Sequence, residues 1–289
     1  MGQVSSKIDD RKLAYDRMNE LLQFRSTHPT KRQSIDGVEW NYILSGTGTE
    51  TVLILSGMLG RADTGYKMVM NFEKTYRVLS ISYPLHDKMD AFIDGLIKLL
   101  DREGIQRVHF VGTSLGTSVG HVLVRRYRDR IDRMVLSTFG LCDDKKLRQI
   151  KQLVGLLGLL PYWVIKKYFK LGSPKILKGL DESDKQFQLA YLNDLLDIDK
   201  QTMISQYRLL LEMFENPSYG TDRPIDNSSI LIMQSQDDEN WNHDEQSAFR
   251  QTYPNARIQL FEEGGHLREI RDENKHIATV RHFLELASA

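Results

Sequence analysis

Between residues 51 and 138 the chain alternates two patterns. Short, continuous apolar runs rich in β-branched residues fall at Thr51–Leu55, Tyr76–Ser82, Val108–Val111 and Arg133–Thr138, the form expected of strands buried on both faces. Between them come helical spacings. Met89, Phe92, Ile93, Leu96, Leu99 and Leu100 recur within 87–101 and stop at Gly104; Val119, Val122, Leu123 and Tyr127 recur after the third run. Strand–helix alternation of this kind predicts right-handed crossovers and a mainly parallel sheet. Upstream, residues 8–24 read as an amphipathic helix with Leu13, Met18, Leu21 and Leu22 on one side. Residues 25–32 read as a linker broken by Pro29, and residues 33–44 as a hairpin around Asp36-Gly37.

The pattern breaks after residue 140. From Leu141 to Tyr219 only helical periodicity remains, with one apolar row at Leu192, Leu195 and Leu196 and another at Ile204, Tyr207, Leu210, Leu211 and Phe214. Pro161, Pro174 and Pro217 punctuate it. The sheet pattern then resumes at Ser229–Met233 and Arg257–Phe261. A helix capped by Asn242 and Glu245 lies between them, and an amphipathic helix over 273–286 closes the chain. The expected organisation is an N-terminal helix and linker (1–33), an α/β core built from 34–140 and 221–289, and an all-helical cap or lid (141–220) over the strand ends.

Composition adds limits. The 289 residues carry 39 basic and 39 acidic side chains, so no global field favours nucleic acid. Cys142 is the single cysteine, which rules out an internal disulfide and thiolate zinc sites and points to a reducing, cytoplasmic setting. The first residues are polar and no apolar run of a secretory signal follows them. Met1-Gly2-Gln3-Val4-Ser5-Ser6 matches the N-myristoylation pattern, a loose one, and Met1–Lys7 reads by default as a frayed terminus. The longest apolar stretch, Leu153–Ile165, is too short to span a bilayer.

The candidate chemistry sits at the third strand. Gly112-Thr113-Ser114-Leu115-Gly116 is Gly-x-Ser-x-Gly between a strand and a helix, the context in which a sharp turn pushes a serine hydroxyl clear of the sheet. Two glycines remove the Cβ atoms that would collide there, or else merely let helix pack on sheet with Ser114 as a cap. A serine nucleophile needs a base oriented by a carboxylate. Just past two later strands stand Asp237-Asp238 and, after Gly264-Gly265, His266, at the strand edge where sites of open α/β sheets form. His109 and His121 read as packed or capping residues. His28, His86, His243, His276 and His282 read as solvated loop or helix-surface histidines. The N–H of Leu115 could be one oxyanion donor, and the turn Ser56-Gly57-Met58-Leu59-Gly60 a second, unless it is an ordinary strand-to-loop turn.

These three motifs, each following a strand, resemble the α/β-hydrolase superfamily in its helical-cap branch, over residues 34–140 and 221–289. The resemblance implies Ser114 as nucleophile, His266 as base and Asp238 as acid. Related enzymes read Gly-x-x-Asp with the acid last, and Ser235-Gln236-Asp237-Asp238 fits that frame with Ser in the glycine place and Asp237 as a turn residue. The family's His-Gly turn appears as Ser56-Gly57, which carries the second donor to Met58. The stretch from Ser82-Tyr83-Pro84 to the Ser114 turn is also similar to the maspardin-like branch, some of whose members lack a full triad and act as binding proteins.

The implied activity is hydrolysis of an ester or similar acyl bond of a small, lipophilic substrate, with no metal or organic cofactor. A non-catalytic adaptor on the same scaffold is the rival, and C–C hydrolysis or acyl transfer a third reading. Three roles stay open for Leu153–Ile165 and the lysines after it: lining an apolar pocket, lying on a bilayer, or packing the cap on the core.

Overall fold

The computed structural model describes residues 2–177, 180–220 and 228–286. Eight strands form one sheet: β1 (Lys31–Ile35), β2 (Val38–Ser45), β3 (Thr51–Leu55), β4 (Arg77–Ser82), β5 (Val108–Thr113), β6 (Ile131–Ser137), β7 (Ile230–Ser235) and β8 (Arg257–Phe261). Their order is β1-β2-β4-β3-β5-β6-β7-β8. The β1–β2 and β2–β4 pairs are antiparallel and every other pair is parallel.

Period-two geometry divides the strand side chains between two apolar layers. Leu53, Leu55, Phe110 and Leu136 join helices α3 (Met89–Arg102) and α4 (Leu115–Arg126) on one face. Val52, Ile54, Val111 and Val135 join α1 (Gly2–Thr27), α2 (Tyr66–Phe72) and α11 (Glu273–Glu285) on the other. Every residue of β3, β5 and β7 is buried, which is why those runs are mostly apolar rather than alternating, with polar residues such as His109 and Gln234 buried among them.

Between β6 and β7 the described residues form four α-helices, α5 (Asp144–Leu159), α6 (Tyr162–Ile176), α7 (Glu182–Leu195) and α8 (Lys200–Glu215). Asp143, Asp181 and Asp199 each cap the next helix by accepting a backbone N–H. The expected resumption of the core at residue 221 lies outside the described residues. The remaining helices are α9 (His243–Gln251), which has the expected Asn242/Glu245 capping box, and α10 (Arg268–Arg271).

The structure corrects several local expectations. The first helix runs from Gly2 to Thr27, so little of the expected linker remains before β1. Its buried side is Ala14, Leu21 and Phe24, whereas Leu13 and Leu22 are exposed. Packing against α7 chooses that side, since Phe24 and Leu21 share a cluster with Phe187 and Tyr191. Arg25 reinforces the seam through Asp63, 2.6 Å away, and Asp194. Helix α6 runs through position 174, and α2 was unpredicted because its N-cap, Gly65, offers no capping side chain. His276 is not on the surface: it is 2 % exposed, and burial pushes its pKa down to about 4.

Candidate active site

The turn after β5 forces Ser114 to φ 51°, ψ −112°, a left-handed conformation strained for any L-residue. What holds it there is packing on both sides. A methyl on Gly116 would overlap the Leu55 carbonyl oxygen, and one on Gly112 would come 2.7 Å from the Gly116 carbonyl group. Only glycine lets α4 start this close to β3 and β5. Buried Thr117 ties the turn to β6: its hydroxyl donates to the Gly112 carbonyl (3.0 Å) and accepts from the Ser137 N–H (3.0 Å). The Ser114 N–H donates to the Ser137 carbonyl at 3.0 Å.

Two loops, after β7 and β8 on the same edge of the sheet, combine to bring an imidazole to this hydroxyl. After β7, Asp238 folds back so that its Oδ1 accepts the Asn240 and Trp241 N–H groups at 2.8 and 3.2 Å. After β8, Gly264 (φ 140°) and Gly265 (φ 60°) reverse the chain, and both donate to the Asp237 carboxylate, at 3.2 and 2.7 Å. Asp237 therefore builds the turn that presents His266. The imidazole Nδ1 lies 3.1 Å from both Asp238 oxygens, and its Nε2 lies 3.2 Å from Ser114 Oγ. Ser114, Asp238 and His266 are thus brought together in one hydrogen-bonded row, and Asp237 is not part of it. The Asp238 side chain is 2 % exposed and that of His266 14 %.

The surroundings of His266 raise the pKa of its imidazole. Burial opposes the charge, but the hydrogen bond and charge of Asp238, with Glu269 and Glu239, outweigh it and hold His266 above its usual 6.5. Glu239 also accepts the His266 N–H, at 3.1 Å. Glu269, on α10, is itself pushed up to about 7 by burial, against the pull of its backbone hydrogen bond, His266 and Arg268.

The turn after β3 faces Ser114 from the other side. A methyl on Gly57 would lie 3.4 Å from Ser114 Cβ and 3.9 Å from its hydroxyl, so the Met58 segment and the start of α4 flank one space. The turn is fastened at three points. Gly60 N–H donates to the Gly57 carbonyl at 3.0 Å, Tyr83 Oη donates to the Ser56 carbonyl at 2.6 Å, and Leu59, at φ 64°, donates its N–H to Gln206 Oε1 at 2.7 Å. Gln206 belongs to α8 and is 2 % exposed. Sequence reasoning missed it, although an amide at i+3 from Met203 and i−4 from Leu210 interrupts an apolar helix face and marks a polar group with a task. Thr117 and Glu269 were missed for a plainer reason, since neither belongs to a spaced motif.

Met58 and Leu59 pack against an apolar cluster of Leu157, Ile165, Leu196, Met203 and Ile204 from the four-helix segment. Of the three roles left open for Leu153–Ile165, packing onto the rest of the fold is seen for Leu157 and Ile165, which point inward, while Leu159 and Trp163 are 85 % and 69 % exposed. His121 is packed, as expected, with Nδ1 2.7 Å from Tyr253 Oη. No group of three or more histidine, cysteine, aspartate or glutamate side chains among the described residues could hold a metal ion. No helix among them is long and apolar enough to cross a membrane.

No family model matches the chain. Zebrafish (Danio rerio) maspardin is 26 % identical over 251 residues, 84 % of this chain and 78 % of that protein. Human maspardin is 23 % identical over 253 residues, covering 84 % and 79 %. Among solved structures, a hydrolase from Pseudomonas aeruginosa superposes with TM-score 0.72 at 15 % identity, covering 89 % of this chain and 99 % of that one. The enol-lactonase from Burkholderia xenovorans gives 0.70 at 15 % identity, covering 89 % and 100 %. The chain has the α/β-hydrolase fold, and its sequence resembles maspardin.

Proposed function

We propose that this protein is a serine hydrolase that cleaves an ester or similar acyl bond of a small, lipophilic substrate. The observation that carries the reading is the unbroken row Ser114 Oγ, His266 Nε2, His266 Nδ1 and Asp238, with contacts of 3.2 and 3.1 Å. His266 takes the proton of Ser114 as the hydroxyl attacks the carbonyl carbon. Asp238 holds the imidazole by its Nδ1–H and stabilises the imidazolium that forms. The N–H groups of Met58 and Leu115 receive the oxyanion, at about 3 kcal/mol per donor. His266 then protonates the leaving group, and water releases the acid by the same steps in reverse. The apolar cluster behind Met58 and Leu59 favours a lipophilic acyl chain.

The maspardin resemblance favours a second reading, a binding or adaptor protein that uses the same pocket without turnover. A fluorophosphonate probe separates the two. Labelling of the folded chain at Ser114 supports hydrolysis, and a folded chain that stays unlabelled supports the adaptor. A series of p-nitrophenyl esters then tests the pocket, with medium acyl chains expected to outperform acetate.

Two further outcomes follow from the geometry. Because the base must be neutral, kcat/KM should fall as pH drops through a midpoint above 6.5. Glu269→Gln removes the acid that, in the pH range where it is ionised, raises His266, and should move the midpoint down; an unmoved midpoint means that Glu269 does not act on this imidazole. Gln206→Leu leaves the Leu59 N–H without its acceptor and loosens the Met58 turn. It should lower kcat by about 10- to 100-fold with KM nearly constant, and Gln206→Glu, which keeps an acceptor, should recover most of it.

A further inference from the structure

Helices α5 and α6 have two faces, and the outer one has no use in the chemistry above. Leu157 and Ile165 point inward and are 2 % and 0 % exposed. On the same two helices, Leu156, Leu159, Trp163, Tyr168 and Leu171 are exposed by 52, 85, 69, 65 and 72 %. Leu159 and Trp163 flank the corner where α5 ends and α6 begins, at Leu160 and Pro161, and Leu156, Tyr168 and Leu171 lie farther along the same two helices. Large apolar side chains grouped in this way are uncommon on the free surface of a monomer.

The charge along this segment of the chain is as uneven as the whole chain is balanced. Residues 145–180 contain eight lysines, one arginine and no aspartate or glutamate, in a chain with 39 of each sign. Acids from elsewhere meet some of these lysines: Glu245 pairs with Lys146, Glu215 with Lys151 and Asp197 with Lys166. Lys167 is exposed near the corner, Lys145 and Arg148 are exposed at the far end of α5, and Asp197, the partner of Lys166, is itself exposed. Lys200, at the start of α8, adds its ammonium at the corner by donating to the Gly158 carbonyl at 2.8 Å.

We propose that this corner docks on an anionic phospholipid surface, with Leu159 and Trp163 entering the headgroup–acyl boundary and the surrounding lysines facing lipid phosphates and carboxylates. Leucine and tryptophan on one side of a helix with lysine beside them form the pattern of an interfacial helix, and basic side chains add attraction to an anionic leaflet. Charge selects this occupant over a second copy of the chain, because two such corners would bring like charges face to face. The inference does not depend on the hydrolytic reading, since neither Leu159 nor Trp163 touches the Ser114 site.

The test is sedimentation of the full chain with vesicles of phosphatidylcholine alone or with about a third phosphatidylserine. Binding is expected to the anionic vesicles and to weaken steeply with salt. Leu159→Ser with Trp163→Ser should reduce partitioning about tenfold or more. Lys167→Gln should weaken it about fivefold. Trp40 and Trp241 are buried at 0 % and 5 % exposure, so a blue shift of tryptophan emission on binding reports Trp163. Absence of binding, equal binding to neutral vesicles, or binding unchanged by the double substitution overturns the proposal. So does a concentration-dependent dimer that Leu159→Ser disperses, which would assign the corner to self-association.

Discussion

Ser114→Ala is expected to lower kcat toward a p-nitrophenyl ester by about 10^4- to 10^6-fold, with fluorophosphonate labelling lost and the thermal midpoint nearly unchanged. The change removes one oxygen whose partner in the fold is His266 Nε2, so little structure depends on it. Everything chemical does: the imidazole keeps its place beside Asp238 but has no hydroxyl to deprotonate. The residue left behind still has to hold φ near 51°, as serine does, so the backbone strain cancels between the two proteins. Turnover within tenfold of the parent would show that the ester is hydrolysed elsewhere and would end the serine-hydrolase reading.

Gly116→Ala is expected to cost about 3 kcal/mol or more of stability, a fall of roughly 6–12 °C in thermal midpoint followed by circular dichroism. The added methyl would overlap the Leu55 carbonyl oxygen and sit 2.8 Å from its carbon. Neither partner can yield cheaply, because Leu55 ends a strand paired on both sides and Gly116 opens the helix behind Ser114. Gly155→Ala supplies the contrast. No atom lies within 4 Å of the added methyl there, and alanine in an exposed helix should raise stability by up to about 1 kcal/mol. If both substitutions behaved alike, the close approach of α4 to β3 would not be what demands glycine at 116.

What could be read in advance was whatever local chemistry and period dictate. The buried runs at Thr51–Leu55 and Val108–Val111 announced themselves because a strand covered on both faces has no polar side to show. Ser114, Asp238 and His266 stood out in the sequence because each follows a strand, buried on both faces for β5 and β7 and largely exposed for β8, and a parallel sheet brings strand ends to one edge. Asp237 and Asp238 could be ranked but not separated by residues alone. Their difference lies in whether a carboxylate turns toward two glycine N–H groups or toward an imidazole. Position 276 was misread for a related reason, because the helical pattern of 273–286 gives no weight to a histidine on its buried side. On the N-terminal helix, Leu21 and Met18 of the expected apolar side do pack inward but Leu13 and Leu22 do not, since α7, which adds Phe24 to the buried side, lies more than 150 residues away in the chain. Gln206 depends on the same kind of distance: its value comes from a main-chain N–H on another element.

That amide has a consequence for evolution and engineering by segment exchange. The four-helix stretch between β6 and β7 looks like a detachable module, yet one of its side chains completes a turn of the sheet to which it is joined. A graft of the corresponding helices from another protein of this fold would have to bring an acceptor to the same spot, or leave a buried donor bare at about 1–3 kcal/mol. Swaps that move residues 141–220 should therefore keep position 206 with the recipient's own turn, and the two segments should be inherited as one unit.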